Sequence, residues 1–111
     1  MNKKYKVRFS PLFYKDLEEI IDYIKNKLSN KKAAEELIEI LFKEIEKRKY
    51  YPMAYESFVS KKERKNTYYK IQVKKYNIFY VVKDEYIEIR RMLYSRSDFN
   101  KRIWKILKWF K

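Results

Sequence analysis

The sequence predicts an α+β domain with the element order β–α–α–β–β–β–α. Three observations support this order: an alternating strand pattern at the start, two amphipathic helix patterns after it, and three closely spaced runs rich in β-branched and aromatic residues. A chain of 111 residues with a hydrophobic fraction of 46% is large and apolar enough to bury one core. We therefore expect a single domain spanning residues 1–111.

The first strand and the first helix are predicted from residues 4–28. Residues 4–9 alternate charged and apolar side chains, which is typical of a half-buried strand. Ser10 suits the N-cap of a helix and Pro11 suits its first position, so a helix is expected to begin here. One apolar stripe at helical spacing follows, formed by Phe13, Leu17, Ile20, Ile21, Ile24 and Leu28.

A second helix is predicted to begin at Lys31 or Lys32, capped by Asn30, and to end before Pro52. Its apolar stripe consists of Ala33, Leu37, Ile40, Leu41 and Ile45. The two helices should pair as a hairpin that covers one face of the sheet. We expect the acidic residues of this hairpin, Asp16 among them, to lie mostly on its solvated face.

The second half of the chain predicts a loop and a meander. Residues 52–66 contain a proline and a charge run and are expected to form a long loop. The β-rich runs 67–73, 76–82 and 86–94 are separated by two and three residues, which predicts antiparallel strands. The chain has no glycine, so we expect Asn and Asp to supply any positive φ angles that the turns of this meander need. A C-terminal helix is predicted from the spacing of Phe99, Ile103, Ile106, Leu107 and Phe110.

The composition excludes several chemistries. The chain has no cysteine and no histidine, so it offers no disulfide, no thiolate metal site and no imidazole base. We expect neither a metal nor a cofactor. The N-terminus carries no apolar run of signal-peptide length, and no stretch approaches the roughly 18 apolar residues of a membrane span. The expected location is the cytoplasm, without membrane association.

The net charge of +14 indicates an anionic partner, because self-repulsion at this level disfavours a compact chain of this size. The charge is uneven. Residues 1–48 hold 12 Lys/Arg against 9 Asp/Glu, whereas residues 49–111 hold 17 against 6. The anion-binding surface is therefore expected in the second half.

Four segments in order carry a family resemblance: YKVRFSP at 5–11, DLEEIIDYI at 16–24, YNIFYVV at 76–82 and IEIRRMLYSRSD at 87–98. Together they resemble the RelE/ParE superfamily of bacterial toxins from type II toxin–antitoxin systems. The resemblance implies a twisted antiparallel sheet with a helical hairpin on one face and a basic concave site on the other. It also implies a cognate antitoxin that wraps the sheet with an acidic segment, so that the toxin forms a hetero-oligomer with it.

The preferred function implied by the resemblance is that of a RelE-like endonuclease, which cuts mRNA on the ribosome. Cleaving RNA without a metal requires proton transfer and stabilisation of negative charge on the phosphate, and guanidinium groups suit the second task. Four residues match catalytic positions of the family. The candidates are Arg91, Arg96, Tyr94 and Lys70. Basic residues expected to attract nucleic acid are Lys61, Lys62, Arg64, Lys65, Lys74 and Lys75.

The placement of Arg91 is left open by the strand pattern. Strict alternation puts Arg91 on the same face as Ile87 and Ile89, which are expected in the core. Either a bulge reverses the side after Ile89, or one face of the sheet is an incompletely covered cleft. Arg90 is expected to matter less than Arg91.

Two alternatives remain at this point. A ParE-like inhibitor of DNA gyrase, without nuclease activity, is favoured by the missing histidine and by two departures from the family pattern. Asn77 and Ser97 stand where many toxic relatives carry arginine. A non-toxic RNA- or ribosome-binding module that keeps only the fold is the third possibility, since a fold does not by itself determine function.

Overall fold

The computed structural model describes residues 4–55, 57–58 and 67–95, and it confirms the predicted α+β class. The predicted C-terminal helix lies outside these residues. Within them the elements are β1 (Lys6–Phe9), α1 (Pro11–Asp22), a π-helical turn (Tyr23–Lys27), α2 (Lys31–Arg48), a 3-10 turn (Pro52–Ala54), β2 (Ser57–Phe58), β3 (Tyr68–Val73), β4 (Tyr76–Val82) and β5 (Tyr86–Tyr94).

The strands form one mixed sheet in the order β1-β5-β4-β3-β2. Strands β3, β4 and β5 form the predicted antiparallel meander. The expectation of a wholly antiparallel sheet was wrong for β1, which pairs in parallel with β5. Short turns force neighbouring strands to be antiparallel, but the long connection after β1 permits a parallel neighbour. Residues 57–58, which we expected in a loop, pair with β3 as the short edge strand β2.

Helix α1 begins as predicted at Ser10. The Ser10 hydroxyl accepts a hydrogen bond from the Phe13 amide at 3.2 Å and donates one to the carbonyl of Arg90 at 2.7 Å. The cap thus also fastens the start of the helix to β5. Pro11 occupies the first turn, where its missing N–H leaves no bond unmade.

The hairpin turn between the helices uses a residue that we did not expect. Ser29 adopts φ 48°, and the Asn30 amide donates to the carbonyl of Ile24, an arrangement in which glycine is the usual residue. Two further described residues have positive φ, Tyr51 and Lys74. Lys74 lies in the β3–β4 turn, so the expectation that Asn and Asp would supply the positive φ angles of the meander was wrong there. A serine, a tyrosine and a lysine thus occupy a backbone region that costs roughly 1–2 kcal/mol per residue.

Helix α2 matches its predicted bounds. The Asn30 side chain accepts a hydrogen bond from the Ala33 amide at 3.0 Å, as expected for the N-cap. The buried residues of this helix are Ala34, Leu37, Leu41 and Ile45. Three of the four belong to the predicted stripe, and Ala34 replaces Ala33 at its start.

The main core lies between the hairpin and one face of the sheet, which we call the helix face. Its sheet residues are Tyr69, Ile71, Val73, Ile78, Tyr80, Ile87, Ile89 and Met92. Side chains alternate along a strand, so the residues between them form the opposite side, which we call the outer face. The outer face carries Tyr68, Lys70, Gln72, Asn77, Phe79, Val81, Glu88 and Arg90.

A β-bulge at Arg90 answers the question left open by the sequence. Tyr80 pairs with Ile89 and Phe79 pairs with Arg91, so Arg90 is an extra residue in β5. The bulge allows both Ile89 and Met92 to face the hairpin although they are three residues apart. The bulge alternative is therefore confirmed.

Candidate functional site

Arg91 is held by an acidic residue of helix α1. Its Nε lies 2.7 Å from Oδ2 of Asp16 and its Nη2 lies 2.8 Å from Oδ1, which is a bidentate ion pair. The same carboxylate accepts a hydrogen bond from the Met92 amide at 3.0 Å. We call this arrangement of Asp16, Arg91 and Met92 the clamp.

The clamp supplies a hydrogen bond to a part of β5 that β1 does not reach. Strand β1 pairs with β5 only as far as Ile89, so the Met92 amide has no β1 partner. Helix α1 passes at this point, and its carboxylate takes the place of the missing strand. Asp16 is only 8% exposed, so the expectation that it lies on a solvated face was wrong. A buried carboxylate requires such partners, because an unpaired buried charge is costly.

Arg48, at the end of α2, supplies a hydrogen bond to a part of β3 that β2 does not reach. Strand β2 pairs with β3 at Tyr68 and Tyr69, and Nη1 of Arg48 donates to the next carbonyl, that of Lys70, at 3.2 Å. The same Nη1 lies 3.0 Å from the Tyr80 hydroxyl, and the guanidinium lies over the ring of Tyr55 at 3.4 Å. No spacing in the sequence indicated a role for Arg48.

The Tyr80 hydroxyl is part of the same network and is fully buried. It donates to the carbonyl of Pro52 at 2.7 Å while it accepts from Arg48. Burial raises the pKa of Tyr80 above its ordinary value, against the lowering effect of the Arg48 guanidinium. The folded protein therefore keeps this proton at pH values where the unfolded chain has lost it.

A Tyr80→Phe substitution tests this linkage. Because the folded-state pKa of Tyr80 is raised, its contribution to stability is complete below about pH 10 and is lost as the pH rises through the folded-state value. We expect the variant to lose about 1–3 kcal/mol below pH 10, since the Pro52 carbonyl loses its donor. Above about pH 10 we also expect the stability of the variant to fall less steeply than that of the parent protein. The two slopes should differ by up to about 1.4 kcal/mol per pH unit. Denaturant unfolding at intervals of ~1 pH unit between about pH 8 and pH 11 measures both the loss of stability and its pH dependence.

The control for that experiment is Tyr14→Phe, which removes an exposed hydroxyl from α1. Its stability curve should follow that of the parent protein. Parallel curves for the parent and Tyr80→Phe at alkaline pH would contradict the role of burial.

Arg90 is a buried residue of the outer face, with 6% exposure. Its Nε lies 2.7 Å from Oε1 of Glu88, and its Nη1 lies 3.0 Å from the hydroxyl of Tyr68. The expectation that Arg90 matters less than Arg91 concerned function, and the structure gives both arginines well-defined internal partners. Neither guanidinium is a freely solvated surface group.

The structure does not bring the described catalytic candidates together. Lys70 is exposed on the outer face of β3, whereas Tyr94 packs beside Tyr76 at the helix-face end of β5, with ring centroids 5.8 Å apart. Arg91 lies in the clamp, where its guanidinium is bound to Asp16. Among the basic residues, Lys74 and Lys75 are exposed in the β3–β4 turn. The predicted residues outside the described ranges are Arg96, Lys61, Lys62, Arg64 and Lys65.

Two classes of site receive no support from the part of the chain that the structure describes. No group of three or more acidic residues in it is arranged to hold a metal ion. No helix in it is both long and apolar enough to cross a membrane.

A comparison with protein families decides the class of the protein. The family model for the ParE toxin of type II toxin–antitoxin system, parDE, matches residues 7–99. The chain belongs to the ParE toxin family. No curated protein matches it significantly. The matched range runs from β1 past the end of β5 and includes the clamp, so the resemblance drawn from the four sequence segments is confirmed. As a type II toxin, this ParE-family member has a cognate antitoxin as its partner.

Proposed function

We propose that this toxin inhibits DNA gyrase and does not cut mRNA. The observation that carries the proposal is the clamp, which pairs the guanidinium of Arg91 with Asp16 inside the fold. Among the described candidates Arg91 best matched a phosphate-binding arginine. Its bidentate pairing leaves fewer donors for a scissile phosphate, since two of its five N–H groups already bind a carboxylate.

Metal-independent RNA cleavage needs several groups around one phosphate. A base, an acid and a cation must converge within hydrogen-bond distance of the reacting atoms. Lys70 and Tyr94 occupy opposite faces of the sheet, so they do not share such a centre in the described structure. A toxin that acts by binding a protein target has no need of this convergence. The description of the matched family, which refers to ParE toxins, agrees with this assignment.

The nuclease alternative rests on the exposure of Lys70 and Tyr94. Both side chains are accessible to a large substrate, as the resemblance to RelE-like members requires. A ribosome would have to supply the remaining groups and order the mRNA. The experiment below therefore measures gyrase inhibition and RNA cleavage in parallel.

The purified toxin is added to DNA gyrase in a supercoiling reaction. In parallel, mRNA 5′ ends are mapped in cells that express the toxin. We expect loss of supercoiling in vitro, DNA breaks in cells and intact transcripts. Lys70→Ala should still arrest growth, because the residue is not part of the proposed gyrase inhibition. New mRNA 5′ ends that vanish with Lys70→Ala would establish the nuclease instead. Normal growth on expression would favour a non-toxic binding module.

We also propose that the antitoxin neutralises this toxin through an acidic segment. The net charge of the second half of the chain is strongly positive, and Lys70, Lys74 and Lys75 are exposed on or beside the sheet. Oppositely charged surfaces steer association and fix the orientation of partners. Binding of the toxin to its antitoxin should therefore weaken as the salt concentration rises.

A further inference from the structure

Four large apolar side chains are exposed within one turn after helix α2. They are Tyr50, Tyr51, Met53 and Tyr55, with exposures of 39%, 56%, 57% and 41%. Residues 50–55, which we call the tyrosine turn, contain no charged side chain. Single exposed apolar residues are common on protein surfaces, but a group of them in one place marks an interaction site. The tyrosine turn is therefore a candidate binding surface.

Tyr51 holds a backbone conformation that its own side chain and the next residue both disfavour. Its φ is 52° and its ψ is 51°, in the left-handed region, where a bulky residue is an outlier. Pro52 follows, and a residue before proline ordinarily takes an extended conformation. Strained residues of this kind cluster at binding and switch sites. Because more than half of the Tyr51 ring surface is exposed, burial of the ring does not account for the strain.

Contacts within the fold fix the tyrosine turn in place. The buried Tyr80 hydroxyl donates to the carbonyl of Pro52 at 2.7 Å. Arg48 binds the same hydroxyl at 3.0 Å and lies over the ring of Tyr55 at 3.4 Å. A surface that is already held in its bound shape loses little conformational entropy when a partner docks on it. The turn is thus prepared for binding.

The charges around the tyrosine turn are paired within the chain. Lys47 and Lys49 form ion pairs with glutamates of the last turns of α2, at 3.0 and 2.6 Å. Residues 44–55 hold three cations and two carboxylates, a net of +1, whereas residues 67–75 hold three lysines and no acid. A nearly neutral aromatic surface is complementary to an apolar pocket on a folded protein. The lysines of the sheet are the better match for a polyanion or for an acidic antitoxin segment.

We propose that the tyrosine turn is the surface through which this toxin docks on DNA gyrase, with Tyr51 and Met53 entering an apolar pocket of the enzyme. The inference rests on the proposed gyrase inhibition and names the part of the toxin that carries it. Tyrosine and methionine are enriched at the centre of protein–protein interfaces, and tyrosine is a frequent hot spot. The antitoxin and a second copy of the toxin are the other occupants, and the test separates them from gyrase.

Binding of the full-length toxin to purified gyrase is measured by biolayer interferometry, together with inhibition of supercoiling. We expect Tyr51→Asn/Met53→Ala to raise the Kd about 10- to 100-fold, as the loss of interface hot spots does, and to weaken inhibition in proportion. Asparagine tolerates a positive φ, so the backbone of the turn is retained. Met53→Glu changes one exposed side chain and should weaken binding about 10-fold or more, because a charge would enter the pocket.

The matched control is Tyr23→Asn/Leu28→Ala, since these side chains are 51% and 56% exposed and lie outside the tyrosine turn. It should bind gyrase as the parent toxin does. If the parent and both variants of the turn bind and inhibit gyrase equally well, the inference fails and the proposed function stands. If the variants bind gyrase less tightly than a parent that does not inhibit supercoiling, only the proposed function fails. A parent that does not bind gyrase would overturn both.

Two measurements on the same variants test the other occupants. The cognate antitoxin should bind the parent and the variants of the turn equally tightly. Loss of antitoxin binding with unchanged gyrase binding would assign the turn to the antitoxin and overturn the inference. Light scattering gives the oligomeric state, which the substitutions should leave unchanged. A parent dimer that becomes monomeric in the variants, again with unchanged gyrase binding, would assign the turn to a second copy of the toxin.

Discussion

Asp16→Ala is expected to lower the free energy of unfolding by about 3–5 kcal/mol, since it removes one partner of a largely buried ion pair. Arg91 would keep its charge in a place where its side chain is only 18% exposed, and the Met92 amide would lose its acceptor. For a chain of this size the loss corresponds to a fall in Tm of roughly 10–20 °C. Thermal and denaturant unfolding measure it directly.

Two further variants separate the ion pair from a general defect of helix α1. The double variant Asp16→Ala/Arg91→Ala should be more stable than the sum of the two single losses predicts, by about 1 kcal/mol or more, because the partners act as a unit. Glu18→Ala, an exposed neighbour on the same helix, should change stability by less than about 0.5 kcal/mol. Strict additivity in the double variant would contradict the clamp.

The functional consequence of the clamp follows from the same variants. If Arg91 served catalysis directly, Arg91→Ala would abolish growth arrest in a protein that is still fully folded. We expect instead that toxicity declines in proportion to the folded fraction. Measuring both quantities on the same samples distinguishes the two roles.

Arg90→Ala is expected to be the other strongly destabilising substitution, with a loss of about 3–5 kcal/mol. The guanidinium binds Glu88 and the hydroxyl of the buried Tyr68, and its removal leaves that hydroxyl without this donor. It also leaves a cavity beside the buried Tyr68. Denaturant unfolding gives the change in free energy.

Arg90→Met and Arg8→Ala complete this test. Methionine fills most of the volume of the arginine, so Arg90→Met should cost clearly less than Arg90→Ala. Arg8 lies over the ring of Tyr86 at 4.0 Å on the exposed part of β1, and its removal should cost about 1 kcal/mol or less. Equal losses for Arg90→Ala and Arg8→Ala would show that Arg90 is not a core residue.

The internal pairing of Arg90 and Arg91 changes how the motif RRMLYSRSD is understood. From the sequence, Arg91 was the leading candidate for binding a phosphate, and Arg90 was given less importance. In the fold the bulge separates them, and each guanidinium finds a different internal partner. Both side chains bind internal groups. Among the described residues at this end of the sheet, Tyr94 and the lysines of the turn are exposed.

The two helices, their caps and the meander were determined by the sequence itself. The strands 76–82 and 86–94 and the caps Ser10 and Asn30 occur where the sequence predicts them. Period, capping and turn length are local properties, which act between residues a few positions apart. These signals do not depend on knowing how the chain packs.

The parallel pairing of β1 and the roles of the charged residues were decided only by the tertiary structure. Asp16 and Arg91 are 75 residues apart, and Arg90 and Tyr68 are 22 apart, so no local pattern relates them. Asp16 resembles the exposed acids around it in the sequence. It differs from them because β1 pairs with β5 only as far as Ile89, which leaves the Met92 amide open. A charged side chain acquires its role from the groups that folding places beside it, and those groups come from distant parts of the chain.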